Sequence, residues 1–161
     1  MPIRLDQILL IFLAFLLPVL PARGAEIGPG AAPLCQLKLE GPIQAGDSEK
    51  LSAALDGLSS EGSESGNVSL CLNSLGGNYD EALKLITLVL KRTNVATIID
   101  RGAQCYSACA FLFLAGNAQR SEDGELAPDR TLDVRATLGF HAPYLKTGTG
   151  TDVAEATSAA A

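Results

Sequence analysis

The stretch NVSLCLNSLGGNYDEALKLITLVLKRTNVATIID (Asn67–Asp100) decides the fold class. NVSLCLNS (Asn67–Ser74) is short and rich in apolar residues, as a strand is, and it runs into the double glycine of SLGGN (Ser74–Asn78). YDEALKLITLVLKRT (Tyr79–Thr93) has the spacing of a helix. Asn78 and Glu81 stand in a capping-box arrangement at its start. Lys91 and Arg92 lie at its end, where the helix dipole favours cations. Asp80, Glu81, Lys84, Thr87 and Lys91 are expected on one polar face, with Leu83, Ile86 and Leu90 lining another. VATIID (Val95–Asp100) then reads as the next strand.

The same alternation continues outward. LCQLKLEGPI (Leu34–Ile43) predicts a strand ending in a turn. DSEKLSAALDGL (Asp47–Leu58) predicts a helix, with Leu51, Ala54, Leu55 and Leu58 at helical spacing and Asp47 as cap. SSEGSESGN (Ser59–Asn67) reads as a polar surface loop. SACAFLFLAG (Ser107–Gly116) is apolar on every side, the mark of a buried helix. NAQRSEDGELAPDR (Asn117–Arg130) is expected at the surface, and TLGFHAP (Thr137–Pro143) as a short strand. Strands alternating with helices imply an α/β fold with a mainly parallel sheet.

The ends read differently. Arg4, the apolar run Ile8–Leu20 and the small residues of PARGA (Pro21–Ala25) predict a secretory signal peptide over 1–24. The run is short for a membrane span, so an uncleaved anchor is the second choice. A linker is expected over 25–33, an α/β domain over 34–145 and an irregular tail over 146–161. Secretion or periplasmic export would favour disulfides among Cys35, Cys71, Cys105 and Cys109. Four cysteines allow three pairings. A Cys105–Cys109 link would pin the entrance to the apolar helix, and pairing of either with Cys71 is the alternative. Without a CxxC and with one histidine in 161 residues, no metal site is indicated. A net charge of −6 and a pI near 4.7 argue against nucleic acid as partner.

Three short motifs could carry chemistry. SLGGN joins a strand to a helix, where glycines permit close approach and helix-start amides point outward as donors. Ser107 stands at a helix start, between two cysteines, and is either a cap or a nucleophile. His141, in GFHAP, could accept a proton from a serine hydroxyl near neutral pH. Each has an ordinary structural reading when taken alone.

Taken in order, from about Leu34 to Tyr144, these segments resemble the ClpP/crotonase-like serine peptidases. LEGPI and LCLNSLGGNYDEALKLITLVLKRTNVATI are similar to that family's strand, glycine turn, helix and strand. GAQCYSACAFLFLAG resembles the segment where the nucleophilic serine opens a buried helix, and Arg120 and GFHAP its downstream basic residue and histidine strand. The resemblance implies a ClpP/crotonase-like fold with Ser107 as nucleophile and His141 as general base. It further implies Gly77 and Ala108 amides as oxyanion hole, peptide or unfolded protein as substrate, and no cofactor. Homo-oligomers are compatible with it, but an ATP-driven unfoldase is not expected for an exported chain.

Leu75 replaces the family's proline in the turn, and the cysteines flanking Ser107 are not typical of its cytosolic members. Asp152, the one Asp after His141, is the candidate third triad member, at a spacing that departs from the family's; Asp80, Asp100, Asp123, Asp129 and Asp133 do not match the family position. A fragment with a short or missing C-terminal part, a Ser/His dyad and a catalytically degenerate binding or scaffold protein are therefore alternatives. A crotonase-type acyl-CoA enzyme is disfavoured, because CoA thioesters are not expected outside the cytoplasm.

Overall fold

The structure is a computed structural model that describes residues 23–31, 34–60, 68–119 and 124–141. The predicted signal sequence up to residue 22, most of the SSEGSESGN loop, Arg120, Asp123, Asp152 and the tail lie outside the described residues. The elements are β1 (Glu26–Pro29), β2 (Leu37–Glu40), α1 (Asp47–Ser60), β3 (Val68–Asn73), α2 (Tyr79–Arg92) and β4 (Val95–Ile99). They continue with β5 (Gln104–Tyr106), α3 (Ala108–Phe113), β6 (Asn117–Gln119), β7 (Leu126–Pro128), β8 (Arg130–Leu132) and β9 (Thr137–Gly139).

The main sheet has the order β1-β2-β3-β4-β8. β2, β3, β4 and β8 are mutually parallel and β1 is antiparallel to β2, so the protein is α/β with a mainly parallel sheet. Helices on its face bury alternate strand residues: Leu37 and Leu39, Leu70 and Leu72, Val95 and Ile99. All five residues of β4 are buried, as a central parallel strand requires. The opposite face holds a smaller cluster of Cys35, Cys71 and Ile98, where Cys35 and Cys71 form a disulfide. The second disulfide joins Cys105 and Cys109.

Several boundaries and faces differ from expectation. The stretch read as a linker contains β1. It is anchored because the fully buried Asp47 carboxylate accepts the Ala25 amide at 2.9 Å. The same oxygen accepts the Gln44 amide at 2.8 Å, so Asp47 ties loop, strand and helix together rather than acting as a simple cap. The stretch after Gly116 is largely exposed, as read, but it carries strands the sequence did not show, β6, β7 and β8. β6 and β7 pair antiparallel, and β8 extends the main sheet. Three-residue strands are too short to leave a periodic signal. α3 is also shorter than the apolar run: the Thr97 hydroxyl donates to the Phe113 carbonyl at 2.7 Å where the helix ends.

The inward face of α2 is the main correction. Ala82, Leu85 and Val89 are buried, whereas Leu83 and Leu90 are exposed. Glu81, expected on the polar face, is only 1% exposed. Its Oε1 accepts the Ser48 amide at 2.7 Å and the Ser48 hydroxyl at 2.6 Å, and its Oε2 pairs with Lys84 Nζ at 3.0 Å. The helix carries apolar residues at so many positions that two faces fit the same spacing. What selects between them is Glu81 reaching the first turn of α1. The Asn78 side chain does cap the helix, accepting the Glu81 amide at 3.0 Å.

Burial alone would raise the Glu81 pKa, but the Ser48 and Lys84 bonds outweigh it and bring the carboxyl down to about 2 from 4.5. A depressed folded-state pKa contributes stability above the unfolded value, and that stability is lost as pH falls from about 4.5 towards 2. The shift corresponds to about 3 kcal/mol at neutral pH. Denaturant melts of wild type and Glu81→Gln at pH 7 and pH 3 check this. The variant should be the less stable at pH 7, and the gap should narrow at pH 3.

Candidate functional site

β3, β5 and β9 run parallel where they meet. Ser74, just past β3, forms a parallel bridge with Cys105 of β5, and β5 pairs in parallel with β9. The three motifs singled out in the sequence therefore leave the same ends of mutually parallel strands. SLGGN follows β3, Ser107 follows β5, and Phe140–His141 follows β9. Carboxyl ends of parallel strands are where open α/β sheets place their sites.

Ser107 turns the chain from β5 into α3 with φ 54° and ψ −123°. These are the angles of the first corner of a type II′ turn, a glycine position. A serine held there costs about 1–3 kcal/mol. Its side chain makes no capping bond to the helix, so the cap reading does not account for it. The Ser107 amide donates to the Gly139 carbonyl at 3.0 Å, which fixes the β9 end alongside. His141 itself is exposed.

The two glycines of SLGGN divide their roles. A Cβ on Gly76 would lie 2.8 Å from the Ser107 Cβ and 2.7 Å from the Tyr106 carbonyl oxygen, so Gly76 is the residue that abuts the serine. Gly77 packs its Cα against the Ile43 backbone. In the parallel bridge between them, Ile43 N–H donates to the Gly76 carbonyl at 3.0 Å and Asn78 N–H to the Ile43 carbonyl at 2.9 Å. Residues flanking Gly77 thus satisfy Ile43, and the Gly77 amide is directed away from it. Ala108 opens α3, where an amide has no partner within the helix.

An aromatic group borders these residues. Tyr79 and Phe111 meet edge to face with centroids 6.3 Å apart, and Phe111 and Phe140 at 5.7 Å. Phe111 lies one helical turn after Ser107, and Phe140 is next to His141. The sequence singles out Gly76 with Gly77 for a close approach, but not the contact of Gly76 with Ser107, nor Gly139 and these aromatics. The paired glycines and the phenylalanine of GFHAP were visible, but their mutual contacts are not local in sequence. Gly139 is required because the Tyr106 ring lies against its Cα. Among the described residues, no group of three or more His, Cys, Asp and Glu is placed to hold a metal ion.

Fold and site together define an α/β protein with a strained serine at a strand-to-helix junction, between two disulfide-bonded cysteines. No known protein family matches the sequence, and no curated protein is significantly similar to it. Both cysteine pairs being closed fits an oxidising compartment. No helix among the described residues is long and apolar enough to cross a membrane.

Two substitutions test the junction from opposite sides. Ser107→Gly removes the strain and should raise stability by about 1 kcal/mol. Gly76→Ala, at φ 93° and against Ser107, should lower it by more than about 1 kcal/mol. Thermal melts of both variants against wild type give the comparison.

Proposed function

We propose that the chain is an exported serine peptidase of ClpP-like type, hydrolysing peptide bonds through an acyl-enzyme. The observation that carries this reading is the backbone of Ser107, a non-glycine residue held at a glycine conformation against Gly76. Strain of this kind is retained where surrounding structure over-determines it, and functional sites are where it concentrates. The Ser107 hydroxyl makes no capping bond to the start of α3.

The roles follow from the elements. His141, two residues beyond the Gly139 carbonyl that accepts the Ser107 amide, serves as general base. Ser107 Oγ attacks the peptide carbonyl carbon while its proton passes to the imidazole. The Gly77 and Ala108 amides receive the developing oxyanion. Collapse of the tetrahedral species breaks the C–N bond, and the imidazole returns the proton to the leaving amine. Water, deprotonated by the same imidazole, then attacks the ester and frees Ser107. Export follows the reading of residues 1–24 as a signal peptide, which the two disulfides support.

A fluorophosphonate probe tests the assignment directly. Wild type should be labelled, Ser107→Ala should not, and His141→Ala should react at least about 100-fold more slowly, in line with loss of general-base assistance. Folded wild-type protein that takes up no label would instead favour a non-catalytic scaffold of the same fold.

A further inference from the structure

Cys105 and Cys109 stand two residues to either side of Ser107, and both are 0% exposed. Cys105 is the middle residue of β5, fixed by its register with Leu138 on one side and by the bridge to Ser74 on the other. Cys109 is the second residue of α3. Their Cα atoms are 5.2 Å apart. Four residues of continued strand would span about 13 Å, so the bond requires the chain to reverse sharply between the two cysteines. Ser107, at the centre of that ring, takes the reversal.

Among the described residues two non-glycines have positive φ, Thr93 and Ser107. Thr93 is a left-handed residue closing α2, a common way for a helix to end. Ser107 has no such explanation, because its ψ of −123° lies outside the left-handed helical region. The Ser107–Gly139 hydrogen bond fixes one flank of the junction, and the bonds from Ala110 and Phe111 to the Ser107 carbonyl fix the other. The disulfide is the one covalent link that closes the span between them. The Cys35–Cys71 bond is different in kind: it joins points 36 residues apart on the opposite sheet face and encloses no candidate site residue in a tight turn.

We infer that the Cys105–Cys109 disulfide is a positioning element that holds Ser107 in its strained conformation, so that the nucleophilic site is assembled only in the oxidised chain. Its functional half rests on the proposed role of Ser107; its structural half does not. On oxidation the two thiols give up two protons and two electrons to a disulfide oxidant, which leaves as a dithiol. A dithiol reductant reverses the step. The chain would then stay inert until it reaches an oxidising compartment.

The test compares wild type with C105A/C109A and C35A/C71A. It reads thermal melts, the fluorophosphonate labelling rate and the 13C chemical shifts of Ser107, which report its backbone angles independently of activity. C105A/C109A should melt cooperatively, show Ser107 shifts of an ordinary negative-φ residue, and label at least tenfold more slowly at a temperature where it is folded. C35A/C71A should melt lower yet keep the Ser107 shifts and the labelling rate. Ser107 shifts unchanged in C105A/C109A would overturn the inference.

If C105A/C109A does not fold, graded dithiothreitol on wild type decides, with each disulfide followed by peptide mapping. Ser107 shifts that follow Cys105–Cys109 reduction while the remaining amides stay dispersed support the inference. Unmoved shifts, or reduction that coincides with global unfolding, overturn it. Wild type that shows strained Ser107 shifts but never labels removes the peptidase reading alone.

Discussion

Three backbone segments meet at Gly76 and Gly77, and the candidate site depends on how closely they do so. Gly77 lies against the Ile43 backbone and Gly76 against Tyr106 and Ser107. A side chain at either position would drive the segments apart. The bridge between Ile43 and Gly77 carries the β2 side of the sheet past the end of β3, while the bridge between Ser74 and Cys105 starts β5 on the other side. One turn thus changes its hydrogen-bonding partner from β5 to the segment after β2 within a few residues. The Ser74 hydroxyl, accepting the Gly76 amide at 3.0 Å, holds the turn through that change.

How much of this was legible depends on whether the signal is local. The unit β3–α2–β4 was legible because a short apolar run, a capped helix and a second apolar run each carry their own period. Mixed α/β character with a parallel sheet followed from it. The inward face of α2 was not legible, since residues 82, 85 and 89 and residues 83, 86 and 90 satisfy helical spacing equally well. The deciding contact is between Glu81 and Ser48, from a helix that begins thirty-odd positions earlier. Three-residue strands such as β6, β7 and β8 owe their existence to neighbours in space, and polar residues conceal them.

The site divides along the same line. Ser107, SLGGN and GFHAP were visible as residue types at suggestive places, and the sheet brings their strand ends together. The positive φ at Ser107 was invisible, because sequence announces positive φ through glycine and position 107 has none. Disulfide pairing could not be read either, since Cys35 lies before β2, whose register sets Lys38 rather than Cys35 opposite Cys71. Folding of the segment before β2 brings positions 35 and 71 to a Cα separation of 5.5 Å. That leaves Cys105 and Cys109 to each other, on condition that the chain bends between them.

That condition connects stability with site geometry. A strained residue persists when the rest of the fold gains more from the arrangement than the strain costs. Here α3 contributes beside the disulfide: Leu112 and Phe113 are buried, each worth about 1.5–3 kcal/mol, with Ala108, Cys109 and Ala110 buried around them. α3 follows β5 with Ser107 alone between them, so the reversal that the disulfide closes falls on that residue. Glycine would serve the turn better. A serine there gives up some stability, at a point beside Gly76 and next to the end of β9, two residues before the chain's one histidine.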